Sequence, residues 1–149
     1  DDVLWIMLDT DRFAEKNGLR KYMAALSEAK SMNIRILINK PCFDFWLFLH
    51  VADVAELAEG FECKQVGKFL VNKLGSFNKK RIDTNNFSLV RLPLAFARAK
   101  ALDKQELLPK LSAAQVYQLL QEILLHEPLS HMPDELKELA TEMKRSGGV

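Results

Sequence analysis

Val3-Leu-Trp-Ile-Met-Leu-Asp-Thr-Asp11 and Ile34-Arg-Ile-Leu-Ile-Asn-Lys-Pro41 are the two stretches from which the fold follows. Six apolar residues in a row, Val3 to Leu8, read as a fully buried strand interior to a parallel sheet, closed by the polar turn Asp9-Thr10-Asp11. Ile34–Ile38 reads as a second strand. Between them, apolar residues at 19, 22, 23, 26 and 29 have the spacing of an amphipathic helix over Leu19–Met32, with Asn17 and Gly18 as loop or cap before it. Strand, helix and strand joined by short connections predict a βαβ unit with parallel strands.

Beyond Ile38 the pattern is helical. Pro41 suits the first turn of a helix running to about Val51. Val54–Glu59 continues it or forms a separate turn, and Gly60 is a stop. Lys64–Leu74 is a helix ending at Gly75. Ser76–Thr84 is a basic loop. Phe87–Leu102 is largely helical, with Pro93 breaking it or marking its first turn. Ser112 is placed as the N-cap of a helix over Ala113–Leu125, and Asp134–Lys144 is a last amphipathic helix before a frayed Ser146-Gly-Gly tail. Residues 39–149 offer no convincing strand. Two strands do not make a stable sheet, and the chain enters a strand pattern almost at Asp1. The remaining strands are therefore expected from an upstream segment or from another chain.

Composition narrows the class without naming a function. The 149 residues are 48% hydrophobic and 28% charged with net charge +1, which predicts one folded domain rather than a disordered chain. The densest apolar stretch, Phe43 to Ala58, is interrupted by Asp44, His50, Asp53 and Glu56, so no membrane span is expected. Two cysteines do not make a disulfide scaffold, and a reducing cytoplasm is the expected compartment. The charge is uneven. Residues 1–63 have a balance of −4, residues 64–102 one of +8 with Asp83 as the single acid, and residues 103–149 one of −3. The middle block has the sign that phosphates attract, densest at Lys73, Lys79, Lys80 and Arg81. The same run also reads as a solvated helix face and loop.

Candidate chemistry gathers at the strand ends, where open α/β sheets form their ligand crevice. Asp9 and Asp11 follow the first strand; Asn39, Lys40 and Pro41 follow the second. Two carboxylates at Asp-x-Asp spacing suit a hard cation such as Mg²⁺, which is held by one or two carboxylates and keeps several waters. They equally suit a tight turn that bonds local amides. Asp44 lies in the first turn of the Pro41 helix, where the dipole alone favours a carboxylate. Phe43, Trp46, Leu47 and His50 share one helix face, mostly as core, and His50 either satisfies a buried hydrogen bond or faces the crevice. Cys42, His50 and Cys63 lack zinc-finger spacing, and no histidine adjoins Cys42 to make it a thiol nucleophile.

The strand ending in Asp9-Thr-Asp11, followed by a helix and a strand leading into Asn39-Lys-Pro-Cys-Phe-Asp-Phe-Trp-Leu-Phe-Leu-His50, resembles the RloB-like family. The second string is the specific one. Members commonly have Ser-Asn where Asn39-Lys40 stand and Glu where Asp44 stands. The resemblance implies a Toprim-like fold with residues 1–63 as the C-terminal part of its α/β core, and 64–149 as a basic segment and helical region of the same domain. It implies a Mg²⁺ (or Mn²⁺) site with Asp9 and Asp11 as ligands, Asp44 as a third carboxylate, and Asn39 and His50 behind them. The glutamate that completes a Toprim site has no counterpart here and is expected before Asp1. The family's association with phage-defence loci implies an ABC-type ATPase partner and a nuclease acting on nucleic acid, such as tRNA, whose phosphates Lys73, Lys79, Lys80 and Arg81 hold. Two alternatives stand beside this: an inactive Toprim-like module binding an ATPase or nucleic acid, and a purely structural helical domain.

Overall fold

The computed structural model describes residues 3–11, 13, 17–106 and 108–147. β1 (Trp5–Asp9) pairs in parallel with β2 (Arg35–Lys40), with Trp5 opposite Arg35 and Asp9 opposite Asn39. α1 (Gly18–Ser31) connects them and packs on β2 through the face carrying Tyr22 and Ala29. The chain then turns into β2 through Asn33 in the left-handed region at φ 57°, which asparagine tolerates better than most residues. The βαβ unit and its boundaries thus follow the hydrophobic periodicity to within a residue or two, and the fold class is α/β with a largely helical C-terminal region.

α2 (Asp44–Val51) is the centre of the core. Every residue from Asp44 to His50 is buried, as a helix apolar around its whole circumference requires. α3 (Cys63–Leu74), ending at Gly75 with φ 75°, and α4 (Leu92–Leu102), with Pro93 in its first turn, pack on α2. Phe48 meets Phe69 edge to face at 4.9 Å, and Arg98 donates from its guanidinium to Leu49 O at 2.8 Å, satisfying a carbonyl left open near the end of α2. α5 (Val116–His126) and α6 (Asp134–Arg145) close the far side through Tyr117, Leu124, Leu136, Ala140 and Met143. Of the expected frayed tail, Gly148 lies outside the described residues.

Three expectations are corrected. β1 is the edge strand of the sheet order β1-β2-β3, not an interior one, and Ile6 and Met7 stay 40% and 47% exposed. The reason is that α1 covers β2, and no strand among the described residues flanks the outer edge of β1. Ala113–Ala114 is not the start of a helix capped by Ser112. It forms β3, antiparallel to β2 at Asn39–Lys40, which makes the sheet mixed. Gln115 extends this pairing: its N–H donates to Ile38 O at 3.0 Å, and its side-chain Oε1 accepts from Ile38 N–H at 2.9 Å. Finally, the helix after Pro41 begins at Asp44, because residues 41–43 form the turn out of β2.

Candidate functional site

Register brings the two sequence stretches together. Because Asp9 lies opposite Asn39, the turns that follow β1 and β2 start side by side. They are tied by their backbones: Thr10 N–H donates to Asn39 O at 3.0 Å and to Pro41 O at 3.1 Å, and Asp11 N–H donates to Pro41 O at 2.9 Å. The Lys40–Pro41 peptide is cis. Lys40 itself is turned away to the C-terminal region, its ammonium donating to Pro109 O and Lys110 O at 2.8 and 2.7 Å.

Asp9 is half-buried and accepts hydrogen bonds from Phe43 N–H and from Asn39 Nδ2, the latter at 3.3 Å. Its proton affinity is nonetheless raised. Burial is the largest cause, the two hydrogen bonds oppose it, and the charges of Asp11 and Asp44 add to it. Asp9 therefore lies within the fields of Asp11 and Asp44, which add to the dominant effect of burial. Asn39 is fully buried, and its Oδ1 has no hydrogen-bond partner, which is uncommon for a buried polar atom. Asp11 is exposed and stands at the rim of two clefts. One, of about 920 Å³, runs past Lys64, Lys104 and Lys110; the other, of about 640 Å³, lies over Phe13, Lys21 and Tyr22 and also reaches Asp9.

Asp44 begins α2 and is buried, but it has a partner that the sequence did not disclose: Lys79 Nζ at 2.6 Å. Gly67 of α3 faces it, since a Cβ there would come 3.9 Å from Asp44 Oδ2. Lys73, also read as a phosphate ligand, pairs with Glu56 at 3.2 Å. Lys80 and Arg81 are exposed and form no ion pair among the described residues. His50 is 5% exposed inside the core, its Nδ1 on Trp46 O at 3.0 Å and its ring edge-on to Trp46 and Phe87. Burial holds its pKa below the ordinary histidine value, with Arg91 adding to the effect.

Cys42 and Cys63 are joined in a disulfide, a pairing that their number and spacing in the sequence did not disclose. Cys42 leaves the β2 turn buried at 2% exposure, and Cys63 opens α3. The packing of α3 on α2 is what brings residues 21 apart in sequence together. The bridge flanks Asp44: Cys42, Asp44 and Cys63 place their donor atoms within 4.8 Å of one another, and Lys79 Nζ reaches Cys63 Sγ at 3.5 Å.

No helix among the described residues is long and apolar enough to cross a membrane. Comparison with curated proteins and with solved structures found no match. The sequence model of the RloB-like protein family matches residues 1–123 of the 149, a span that runs from β1 into α5 and takes in both turns, Asp44 and the basic loop. The chain belongs to the RloB-like protein family.

Proposed function

We propose that this protein is the Mg²⁺-dependent, Toprim-type nuclease subunit of a phage-defence system, hydrolysing phosphodiester bonds of nucleic acid, with tRNA as one substrate and an ABC-type ATPase as its partner. What supports the reading is one convergence in a member of this family: Asp9, Asp11 and Asp44 share an electrostatic field at the paired ends of β1 and β2. The donor set fits a hard cation. Asp9 and Asp11 offer only carboxylate oxygens, burial together with the Asp11 and Asp44 charges raises the proton affinity of Asp9, and Asn39, which donates to Asp9, carries an unpartnered amide oxygen.

In this reading Asp9 and Asp11 hold the metal, and Asn39 and Phe43 N–H fix the Asp9 carboxylate. Mn²⁺ can replace Mg²⁺ at such a site. The bound metal supplies water activation and neutralises charge on the phosphate. Lys80 and Arg81 are free to hold the substrate backbone. Lys79 does so only by leaving Asp44, and Lys73 by leaving Glu56. Water adds to phosphorus, the ester oxygen leaves with a proton, and the products are a phosphate monoester and an alcohol.

The Lys79–Asp44 pair favours a second reading, an inactive module that binds nucleic acid or the ATPase, because an ammonium already occupies one carboxylate of the group. The test is cleavage of tRNA and of single- and double-stranded DNA with Mg²⁺ or EDTA, alongside the effect of Mg²⁺ on thermal stability. Cleavage and Mg²⁺ stabilisation that are both lost in Asp9→Ala and Asp11→Ala carry the proposal. Cleavage that survives both changes overturns the metal assignment, and wild-type protein that binds nucleic acid without cutting it establishes the second reading.

A further inference from the structure

We propose that Cys42, Cys63 and Asp44 form a redox-gated Zn²⁺ site: closed as a disulfide in the form described above, and able to take one Zn²⁺ once the cysteines are reduced. The proposal does not depend on nuclease activity. Two thiolates and a carboxylate are a ligand set that zinc favours, with bonds of about 2.3 Å to sulfur and about 2.0–2.2 Å to oxygen. A tetrahedral ion so bound keeps its donors roughly 3.5–3.8 Å apart. Here all three donor atoms lie within 4.8 Å of one another, and Cys63 Sγ is 4.0 Å from Asp44 Oδ2.

The three ligands are held by separate but mutually packed pieces: the turn after β2, the first turn of α2, and the start of α3. That matches the requirement for a site positioned by its scaffold rather than by one flexible loop. Gly67 of α3 faces the same carboxylate, and even a Cβ at that position would meet Asp44 Oδ2 only in ordinary contact at 3.9 Å.

Charge completes the case. Zn²⁺ with two thiolates and one carboxylate carries a net charge of about −1, which a buried site tolerates only beside a cation. Lys79 Nζ lies 2.6 Å from Asp44 Oδ2 and 3.5 Å from Cys63 Sγ, so the compensating cation already contacts two of the three ligands. Its side chain is 59% exposed, and it can shift from the carboxylate to remain as counter-charge. With three protein ligands, water fills the fourth position.

The gate is balanced in both directions. Reduction by a dithiol opens the disulfide to two thiols, and metal binding then releases two protons. A small-molecule disulfide reverses this: two electrons pass from the protein thiolates to it, its S–S bond breaks as the Cys42–Cys63 bond re-forms, two small thiols leave after taking two protons from solvent, and Zn²⁺ is released.

The full chain, oxidised or reduced with a phosphine and freed of reductant, is titrated with Co²⁺ and then Zn²⁺ against a chromophoric chelator. Reduced wild type should bind one equivalent, with a thiolate-to-cobalt charge-transfer band that Zn²⁺ abolishes; oxidised protein should show none. Cys63→Ser should lose the band. Asp44→Asn, nearly isosteric and so a safeguard if Cys63→Ser does not fold, should weaken Zn²⁺ binding by at least about tenfold, the lower end for losing even an outer partner. Reduced wild type without the band, or an Asp44→Asn affinity equal to wild type, overturns the proposal.

Discussion

Reducing the Cys42–Cys63 bridge should cost the protein about 3 kcal/mol of folding stability. The bond closes a segment of 21 residues, and the chain-entropy relation for a loop of that length gives about 3.3 kcal/mol at 25 °C from the lost freedom of the unfolded chain. The native state should barely change on reduction, because α2 and α3 remain packed through Phe48, Phe69, Val66 and Leu70, none of which touches solvent appreciably except Phe69. The assay is urea unfolding followed by far-UV circular dichroism, on oxidised protein and on protein reduced in the presence of a strong chelator that keeps metal off the thiols. A thiol count of zero before reduction and two afterwards fixes the starting states. With a slope of about 1–3 kcal/mol per molar urea, the midpoint should fall by roughly 1–3 M, and the slope should rise as the unfolded chain opens out. A midpoint shift below about 0.3 M would refute the reasoning, since a bridge present in the native state must restrict the unfolded one.

Asp9→Asn should stabilise the protein at neutral pH. The folded state binds the Asp9 proton more tightly than the unfolded chain, so wild-type stability falls as pH rises from about 4 through the folded pKa. The variant, whose amide keeps an oxygen for Phe43 N–H, should lack that fall in a series of melts across pH. His50 acts with the opposite sign: its folded pKa is lowered, so stability should be lost as pH drops below about 6.5, and His50→Gln should flatten that limb. Unchanged acid-limb slopes in that variant would assign the loss to other groups. Lys80→Glu with Arg81→Glu should weaken nucleic-acid binding irrespective of sequence and make its salt dependence shallower by about 1.4–1.8 in log–log slope, at roughly 0.7–0.9 per lost phosphate contact. Filter binding across a salt series measures both, and an unchanged slope would make the loop a solvated face.

Local periodicity made β1, α1 and β2 legible, because a run of six apolar residues and an i, i+3, i+4 stripe leave few alternatives. Exposure was not legible from the same run. Ile6 and Met7 look buried until the sheet order makes β1 an edge. β3 could not be read at all: two alanines have no strand signature, and what pairs them is the backbone of β2 together with the Gln115 side chain. At the site, the proximity of Asp9, Asp11 and Asn39 follows from adjacent parallel strands, whose carboxyl ends must coincide. Lys79 on Asp44 and Cys42 on Cys63 depend on how α3 and the loop after Gly75 return across α2. Such long-range placements leave no mark in local sequence, where the basic run carries the same pattern whether its cations face solvent, phosphate or an acid.

Gln115 imposes an order on maturation. Its main chain and its amide oxygen both grip Ile38, one residue before Asn39 and 77 residues earlier in the chain, while its amide nitrogen reaches Asp103 and the carbonyl of Glu106. On a ribosome, β1, α1 and β2 emerge before β3, with the inner edge of β2 still open at the position that supports Asp9. That edge is satisfied only after residue 115 has left the exit tunnel and folded back. Non-local closures of this kind are slow relative to helix formation, so the nascent chain passes through a stage with its carboxylate turns in sequence but not yet braced. A truncation before residue 113 would arrest it there, with the strand edge exposed to any chaperone or neighbouring chain that pairs with β-structure.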